Sequence, residues 1–340
     1  MSRRRPRWRP IRRGRGLASL LFLIVLVGGA WVMWTYRGPG PTTPDGAVRD
    51  VILPKGAGVS QIGEALQRGG VISSKEVFYL AAKLGGTGRR LKAGEYEFAS
   101  GESMARVLSD IAGGRFVRRF VSVPEGWTSD MAMDAVRAQP LLTGTVETPP
   151  EGSLLPDSYQ YQRGDDRAAL VQKMRAAHDK LLADLWASRA PDLPLKTPEQ
   201  AVILASIVEK ETGVPSERPH IAALFENRLK AGIKLESDPT IIYGVSKGRP
   251  LGRGILKSEV EAATPYNTYR IVGLPPTPIS NPGRAALAAV LNPPKTNDMF
   301  FVADGTGGHV FASTFAEHQA NVARWRAIEK QRAAAGGAGK

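Results

Sequence analysis

The sequence contains no cysteine and only four histidines. Without cysteine, neither disulfides nor thiol chemistry can operate in this chain, although the absence says little about compartment because oxidising compartments permit disulfides without requiring them. The histidines are scattered and form no HExxH or comparable ligand spacing, so we expect no metal site. They are His178, His220, His309 and His318. The chain also lacks a nucleic-acid-binding signature, and we expect no nucleic acid partner.

Positive charge is concentrated at the N-terminus. The chain carries a formal net charge of +14, and eight arginines lie among its first sixteen residues. Without those arginines the remaining residues would carry +6. Most of the basicity therefore belongs to a short tail, and the mild charge of the rest suits a partner that carries some negative charge.

Residues 17–36, LASLLFLIVLVGGAWVMWTY, are twenty residues without a charge. At about 1.5 Å per residue they span a hydrocarbon core of roughly 30 Å. A cleavable signal peptide would have a shorter apolar region and a small-residue cleavage site. Trp31, Trp34 and Tyr36 instead suit an interfacial aromatic belt. The sequence therefore predicts a retained transmembrane helix with the arginine-rich N-terminus in the cytoplasm.

Composition and periodicity predict an α+β protein in which two domains follow the anchor. The predicted segments are a cytoplasmic basic tail (1–16), the transmembrane helix (17–36), a Pro/Gly linker (37–48), a small α+β domain (49–115), a larger α+β catalytic domain (116–328) and a disordered tail (329–340). The linker, RGPGPTTPDG at its centre, is expected to form a semi-rigid stalk.

The small domain has a strand–helix–helix–strand pattern. Its expected elements are a strand at 51–53, helices at 60–68 and 74–86, a strand at 91–98 and a helix at 103–111. This unit resembles a LysM-like module, and the resemblance implies binding of aminosugar chains. In the larger domain we expect a strand near 119–124, an entry loop and strand at 151–161 and a long helix near 167–188.

A helix that ends in the sequence ASIVEKETG carries the most informative residues. Thr197 can be its N-cap, Pro198 fits its first turn and Gln200 completes a capping box. Positions 201–208 are apolar apart from Ser206, which predicts burial on most sides. Glu211 shares a face with apolar residues three, four and seven positions earlier, whereas Glu209 points about 200° away. The two carboxylates cannot form a dyad.

A carboxyl on an apolar face at a helix C-terminus should have a raised pKa, because desolvation and the helix dipole both disfavour its anion. Such a group suits a general acid, as in glycosidases. The alternative is that Glu211 pairs with Lys210, Arg218 or another cation. A Ser206–Lys210 catalytic pair is a further, weaker alternative, since no oxyanion loop accompanies it.

Three segments follow this helix. They are an amphipathic helix at 216–232, a strand at 235–245 opened by Asp238-Pro239, and a loop at 264–283 rich in Tyr, Asn, Pro and Gly. Tyr266, Asn267 and Tyr269 offer flat apolar faces and hydrogen-bonding groups of the kind that hold sugar rings. The alternative is a rigid structural loop.

Several motifs in this region are similar to those of the YceG-like (MltG) family of endolytic murein transglycosylases. They are EKET at 209–212, SDPTIIYG at 237–244, PYNTY at 265–269, GLPP at 273–276, ISNPG at 279–283 and FVADGTGGHVF at 301–311. The similarity covers about residues 49–325. It implies that Glu211, the second glutamate of EKET, is the catalytic residue. The candidate substrate-binding residues are Glu209, Glu217, Asp238, Tyr243, Tyr266, Asn267 and Tyr269.

The resemblance implies cleavage of the β-1,4 bond between N-acetylmuramic acid and N-acetylglucosamine, leaving a 1,6-anhydro end and needing no metal or cofactor. It implies a single-pass protein of the inner membrane with a periplasmic catalytic domain. The implied partners are peptidoglycan strands and peptidoglycan synthases such as penicillin-binding proteins. Two alternatives stay open at this point: a non-catalytic wall-binding scaffold and an ordinary muramidase.

Overall fold

The computed structural model describes residues 13–337, in a chain that divides into two compact units, Met1–Arg119 and Phe120–Lys340. The described residues contain twelve α-helices and three two-stranded sheets, so the predicted combination of helices and sheets is confirmed. Of the predicted basic tail, residues 1–12 lie outside the described residues, as do residues 338–340 of the predicted disordered tail.

The first unit begins with α1 (Arg13–Arg37). Within residues 13–337, α1 is the one helix long and apolar enough to cross a membrane, over Ser19–Arg37. Membrane anchors and N-terminal signal sequences share these properties. Near its C-terminal end, Val32 and Tyr36 pack against the core of the first unit.

The remainder of the first unit is a small two-layer fold. Its elements are β1 (Arg49–Leu53), α2 (Val59–Arg68), α3 (Lys75–Leu84), β2 (Gly94–Phe98) and α4 (Met104–Gly113). The strands pair antiparallel, with Val51 opposite Tyr96. Alternation buries Val51 and Leu53 while leaving Ile52 exposed, so one face of the sheet covers a core shared with the three helices.

The linker at 37–48 is attached to this unit along its length. Gly40 N–H donates to the Gly101 carbonyl at 3.0 Å, Thr43 N–H donates to Ser100 Oγ at 2.8 Å, and Arg49 Nη2 donates to the Thr42 carbonyl at 3.1 Å. Backbone groups of this segment thus find partners in the rest of the first unit.

The second unit is mostly helical. Its elements are β3 (Arg119–Ser122), α5 (Ser129–Arg137), β4 (Ser158–Tyr161), α6 (Arg167–Ala187), α7 (Pro198–Glu211), α8 (Arg218–Lys230), α9 (Asp238–Ser246), α10 (Lys257–Glu261), α11 (Arg284–Leu291), β5 (Phe300–Ala303), β6 (His309–Ala312) and α12 (Phe315–Gly337). Nine consecutive residues of α7, 201–209, are buried, and α7 packs with α8 and α11 in the largest hydrophobic cluster.

Two sequence predictions for this unit are wrong. Residues 238–246 form helix α9 rather than a strand, because Ser-Asp-Pro is a helix start signal that outweighs the β-branched residues after it. Residues 329–337, predicted as part of a disordered tail, continue helix α12, where alanine favours helix.

Candidate functional site

Helix α7 places Glu211 at its last turn. Thr197 Oγ1 accepts a hydrogen bond from Gln200 N–H at 3.3 Å, and Pro198 is the first helical residue, so these two predicted start signals are confirmed. Gln200 Oε1 accepts from Lys196 N–H at 2.7 Å rather than from Thr197 N–H, so the predicted capping box does not form. The helix ends at Glu211, because Thr212 adopts extended geometry. A helix buried on most sides therefore fixes the position of one carboxyl at its end.

Glu211 lines a cavity of about 520 Å³. The other lining residues come from α8, the segment before α9, the first residue of α9, the 264–283 loop, β5, β6 and α12: Arg228, Leu235, Glu236, Asp238, Tyr269, Phe301, Val302, Ala303, His309 and His318. Polar and charged side chains supply most of this lining. Elements more than a hundred residues apart in sequence thus build one polar site around Glu211.

Burial raises the pKa of Glu211 to about 7. The hydroxyl of Ser237 and the charge of Arg228 oppose this effect, while the charge of Asp238 adds to it. Glu211 keeps some exposed area because it lines the cavity, yet surrounding protein atoms make desolvation the dominant influence. At neutral pH this carboxyl exists in both protonated and ionised forms.

Ser237 is the N-cap residue of α9 but does not cap it. Its hydroxyl is fully buried and makes no hydrogen bond of good geometry to any described residue. It nevertheless lies close enough to Glu211 to lower the pKa of that carboxyl. The preceding residue, Glu236, has a left-handed backbone with φ of 55°, an uncommon conformation that is often found at functional sites.

Arg228 is buried in α8 and holds two walls of the cavity together. Its Nη1 donates to the Leu235 carbonyl at 3.1 Å and to Glu236 Oε2 at 3.0 Å. Its Nε donates to the Met299 carbonyl at 2.6 Å, next to β5. A rigid guanidinium thereby fixes the segment before α9 against the start of β5.

Two further contacts orient polar groups of the lining. Tyr269 donates its hydroxyl proton to Asp238 Oδ1 at 2.8 Å. His309 Nδ1 lies 2.8 Å from Glu217 Oε2, and the Glu217 carboxylate also accepts from Thr212 Oγ1 at 3.0 Å. His309 is thus held by a residue that is itself held at the end of α7.

The model of the YceG-like family matches residues 51–324. The chain belongs to this family. A protein of Streptococcus pneumoniae strain D39 named endolytic murein transglycosylase is 27% identical over 360 residues, which cover 90% of this chain and 64% of that protein. A protein of Bacillus subtilis strain 168 with the same name is 25% identical, over 79% of this chain and 82% of its own length. The chain thus spans less than two thirds of the pneumococcal relative.

A crystal structure of a YceG-like protein from Listeria monocytogenes is also similar to the chain. It shares 26% sequence identity and a TM-score of 0.49, and the alignment covers 81% of this chain and 99% of that one.

Three of the residues predicted from sequence meet in the cavity of this YceG-like chain: Glu211, Asp238 and Tyr269. Glu217 does not line the cavity itself but contacts His309, which does. The remaining four predicted residues do not line the cavity.

Glu209 lies outside the lining of the cavity, and the substrate-binding role predicted for it from sequence stays a prediction. Its side chain is 3% exposed, with Oε1 accepting from Arg218 Nη2 at 3.1 Å and Oε2 from Gly283 N–H at 2.9 Å. The ion pair with Arg218 that was considered for Glu211 is therefore made by Glu209. Both oxygens of Glu209 are occupied by these partners.

The tyrosines and asparagine of the PYNTY motif differ in placement. Asn267 is 1% exposed, and its Nδ2 donates to the carbonyls of Glu259, Val260 and Ala262 at 3.3, 2.9 and 2.7 Å. Tyr266 packs against Tyr243 with ring centroids 5.0 Å apart, at the edge of the hydrophobic core. The contacts of Asn267 and Tyr266 are those expected of a structural loop, whereas Tyr269 lines the cavity; sugar binding by this motif stays a prediction.

The Ser206–Lys210 alternative is not supported. Ser206 is fully buried, donates to the Ile203 carbonyl at 2.7 Å and accepts from Ile279 N–H at 3.0 Å, whereas Lys210 is exposed. Glu226 is another buried carboxyl with a pKa raised, to about 8, by burial. It borders a separate, smaller cavity of about 300 Å³ and is only 1% exposed, so a sugar chain cannot reach it.

Sequence reasoning missed five functional candidates: Arg228, Glu236, Ser237, His309 and His318. Ser237 and His309 lie inside motifs recognised from the sequence, but nothing in their spacing indicated proximity to Glu211. Burial lowers the pKa of His318, and the charge of Arg228 acts in the same direction against that of Glu236, which favours the neutral imidazole. Its ring stacks on Phe300, with centroids 5.1 Å apart.

Proposed function

We propose that this YceG-like chain is a lytic transglycosylase that cleaves the glycan strands of peptidoglycan, with Glu211 as acid and base. The Glu211 carboxyl carries the proposal: it ends a buried helix, lines a cavity of about 520 Å³ and has a pKa raised to about 7. Such a group can give a proton near neutral pH and take one back. The names of the curated relatives support murein as the substrate.

The proposed reaction has two proton transfers. Glu211 first donates its proton to the glycosidic oxygen as the bond from C1 of N-acetylmuramic acid breaks. The Glu211 carboxylate then takes the proton of the muramyl C6 hydroxyl as that oxygen bonds to C1. The products are a 1,6-anhydro end and a free hydroxyl on N-acetylglucosamine, and no water is consumed. General acid–base catalysis of this kind contributes about 10²–10⁴-fold to the rate.

Neighbouring residues suit both stages. The Ser237 hydroxyl stabilises the ionised Glu211 after the first transfer, and the Arg228 charge acts in the same direction. Since Nδ1 of His309 faces Glu217, its Nε2 is the ring nitrogen left to contact a sugar substituent. These groups position the substrate and limit the cost of a buried negative charge.

Digestion of purified peptidoglycan in heavy-oxygen water tests the proposal. A transglycosylase gives anhydro-muropeptides without solvent oxygen, and Glu211→Gln should lower their yield by at least about two orders of magnitude. If the wild-type chain binds strands without cleaving them, the scaffold alternative is correct.

A muramidase is the second candidate, because Asp238 supplies another carboxylate in the same cavity. A hydrolase uses such a group to activate water or to form a covalent intermediate. Asp238 is held by Tyr269 and adds to the raised pKa of Glu211. The same experiment separates the two reactions, since hydrolysis places one solvent oxygen at each new reducing end.

We further propose that α1 anchors the protein in the inner membrane, with the arginine-rich N-terminus cytoplasmic and the bulk periplasmic. Its apolar span of Ser19–Arg37 and the preceding arginines support this topology. Protease added to spheroplasts should degrade the chain beyond about residue 40. Protection of that region would exclude the topology.

The first unit is proposed to act as a LysM-like module that places glycan strands. Its two-stranded sheet and three helices support a compact binding module. Removing residues 49–115 should impair activity on intact peptidoglycan more than on short soluble fragments; equal losses would indicate a folding role. The peptidoglycan synthases implied by the family resemblance remain predicted partners, to be sought by cross-linking in cells.

A further inference from the structure

Helix α3 of the first unit exposes large apolar side chains on its outer face. Leu84 is 78% exposed, Tyr79 44% and Leu80 43%. Leu80 and Leu84 are four residues apart and therefore lie on one face of the helix. Exposed apolar clusters of this kind in a folded unit indicate an interaction surface.

The end of α1 lies next to this face. A groove of about 360 Å³ is lined on the α1 side by Val32, Met33 and Tyr36. The α3 side is lined by Val77, Leu80, Ala81, Leu84 and Gly85. The exposed face of α3 is thus continuous with the last two turns of the apolar span.

The aromatic residues of α1 indicate where this groove would lie relative to a bilayer. Trp31 is 57% exposed and Trp34 70%, and such residues concentrate where hydrocarbon meets headgroups. Val32 and Tyr36 also pack against the core of the first unit, which holds this end of α1 next to α3. If α1 spans a bilayer, Leu80 and Leu84 lie at the depth of the headgroup layer.

Basic side chains flank the apolar face. Lys83 Nζ lies 5.7 Å from the centre of the Tyr79 ring. Lys83 and Arg89 border a second cavity next to Tyr79. Among the described residues that line these two cavities, none is acidic. Apolar side chains bordered by cations suit an anionic phospholipid.

We propose that the outer face of α3 is a second membrane contact and that a phospholipid occupies the α1–α3 groove. Leu80, Leu84 and Tyr79 enter the interfacial layer, and Lys83 and Arg89 contact the anionic headgroup. The inference rests on the proposed anchoring by α1. It makes the module a part of the membrane surface rather than a domain on a flexible tether.

The absence of natural cysteine allows a direct test with single-cysteine variants of the full chain. Leu84→Cys probes the outer face of α3, Val25→Cys probes the apolar span of α1, and Glu97→Cys probes the exposed side of the two-stranded sheet. Each is labelled with an environment-sensitive fluorophore and reconstituted into phosphatidylglycerol-containing bilayers. Lipids with a quencher near the headgroup should quench the probe at 84 several-fold more than the probe at 97, and aqueous iodide should show the reverse order. Lipids with a quencher in the middle of the acyl chain should quench the probe at 25.

Quenching at 25 but not at 84 would overturn the α3 contact while leaving the anchor intact. A lack of quenching at both positions would refute the anchor as well. A probe at 84 shielded from both quenchers would indicate a protein partner and also overturn the proposal. Replacing phosphatidylglycerol with phosphatidylcholine should reduce quenching at 84 and leave position 25 unchanged; an unchanged signal at 84 would refute the role of Lys83 and Arg89.

Discussion

The Glu217 carboxylate accepts two hydrogen bonds from His309, one from Nδ1 at 2.8 Å and one from the backbone N–H at 2.7 Å. An ionised carboxylate can only accept, so the ring proton lies on Nδ1 and Nε2 is free to face a ligand. Glu217 also accepts from Thr212, the residue after Glu211. One side chain therefore ties the position of His309 to the end of the helix that carries the proposed catalytic group.

Glu217→Gln should destabilise the protein in a pH-dependent way. Burial raises the pKa of Glu217, but the bonds from His309 and Thr212 outweigh it and the net pKa is lowered. The stabilisation is therefore present above the ordinary carboxyl pKa of 4.5 and is lost as pH falls through the lower folded value. We expect a loss of about 1–3 kcal/mol in unfolding free energy at pH 7, measured by urea denaturation.

As pH falls below 4.5, the difference between wild type and Glu217→Gln should shrink, since the stabilisation is lost as the pH approaches the lower folded-state pKa of Glu217. Asp192→Asn is the control, because Asp192 is an exposed carboxylate outside this pair. If the two variants show the same pH dependence, the effect does not come from the Glu217–His309 pair.

Asn267→Ala should unfold the 264–283 loop rather than act on turnover alone. Asn267 is buried, its Nδ2 contacts three carbonyls, and its Oδ1 accepts from Tyr269 N–H at 3.0 Å. Leaving such groups unpaired costs about 1–3 kcal/mol each, so a loss of at least about 2 kcal/mol is expected in chemical denaturation. The exposed Asn297→Ala should change stability by less than about 0.5 kcal/mol. Full stability of Asn267→Ala would favour the sugar-binding hypothesis.

Helix α7 could be predicted from sequence because the residues that determine it lie within the helix and next to its start. Thr197 and Pro198 mark its start, and the apolar run after them is too continuous for a surface helix. The opposite directions of Glu209 and Glu211 followed from helical geometry alone. Which carboxyl meets a cation depends on Arg218, nine residues beyond Glu209, and therefore on the tertiary fold.

The cavity could not be predicted in the same way. Its walls include β5 and β6, about a hundred residues after Glu211, and no local pattern specifies that approach. Residue type did not predict which side chains of the 264–283 loop line the cavity. Asn267 donates to backbone carbonyls within the loop, whereas Tyr269 lines the cavity. In α9, β-branched residues suggested a strand, although the proline at its start already favoured a helix.

Ser237→Ala should move the pH profile of the proposed reaction to higher pH. Burial raises the pKa of Glu211, and the Ser237 hydroxyl lowers it by stabilising the anion. Removing the hydroxyl should therefore raise the pKa further and shift the alkaline limb of kcat/KM upward. Ser206→Ala is the matched control, since Ser206 is equally buried but bonds to Ile203 and Ile279. It should lower stability and leave the profile in place; equal shifts would exclude a specific role for Ser237.

Glu211→Gln should separate function from stability. The folded-state pKa of about 7 lies above the ordinary 4.5, so folding favours the protonated form. The wild type is therefore penalised increasingly as pH rises from 4.5 to about 7, and glutamine avoids this penalty. At about 1.4 kcal/mol per pKa unit, the variant should be more stable at pH 8 by up to about 3 kcal/mol, and equal to wild type at pH 4. Product analysis should show almost no anhydro ends.

Glu209→Gln should give the reverse outcome. It removes one partner of the buried pair with Arg218 and leaves that charge with the more distant Glu125, at 3.6 Å. Breaking a buried ion pair costs about 3 kcal/mol or more, so thermal unfolding should occur at clearly lower temperature. Below that temperature, turnover per folded molecule should stay within a few-fold of wild type, because Glu209 does not line the cavity. If Glu209→Gln abolishes turnover in the folded state while Glu211→Gln retains it, the helix is correctly identified and the catalytic carboxyl is not.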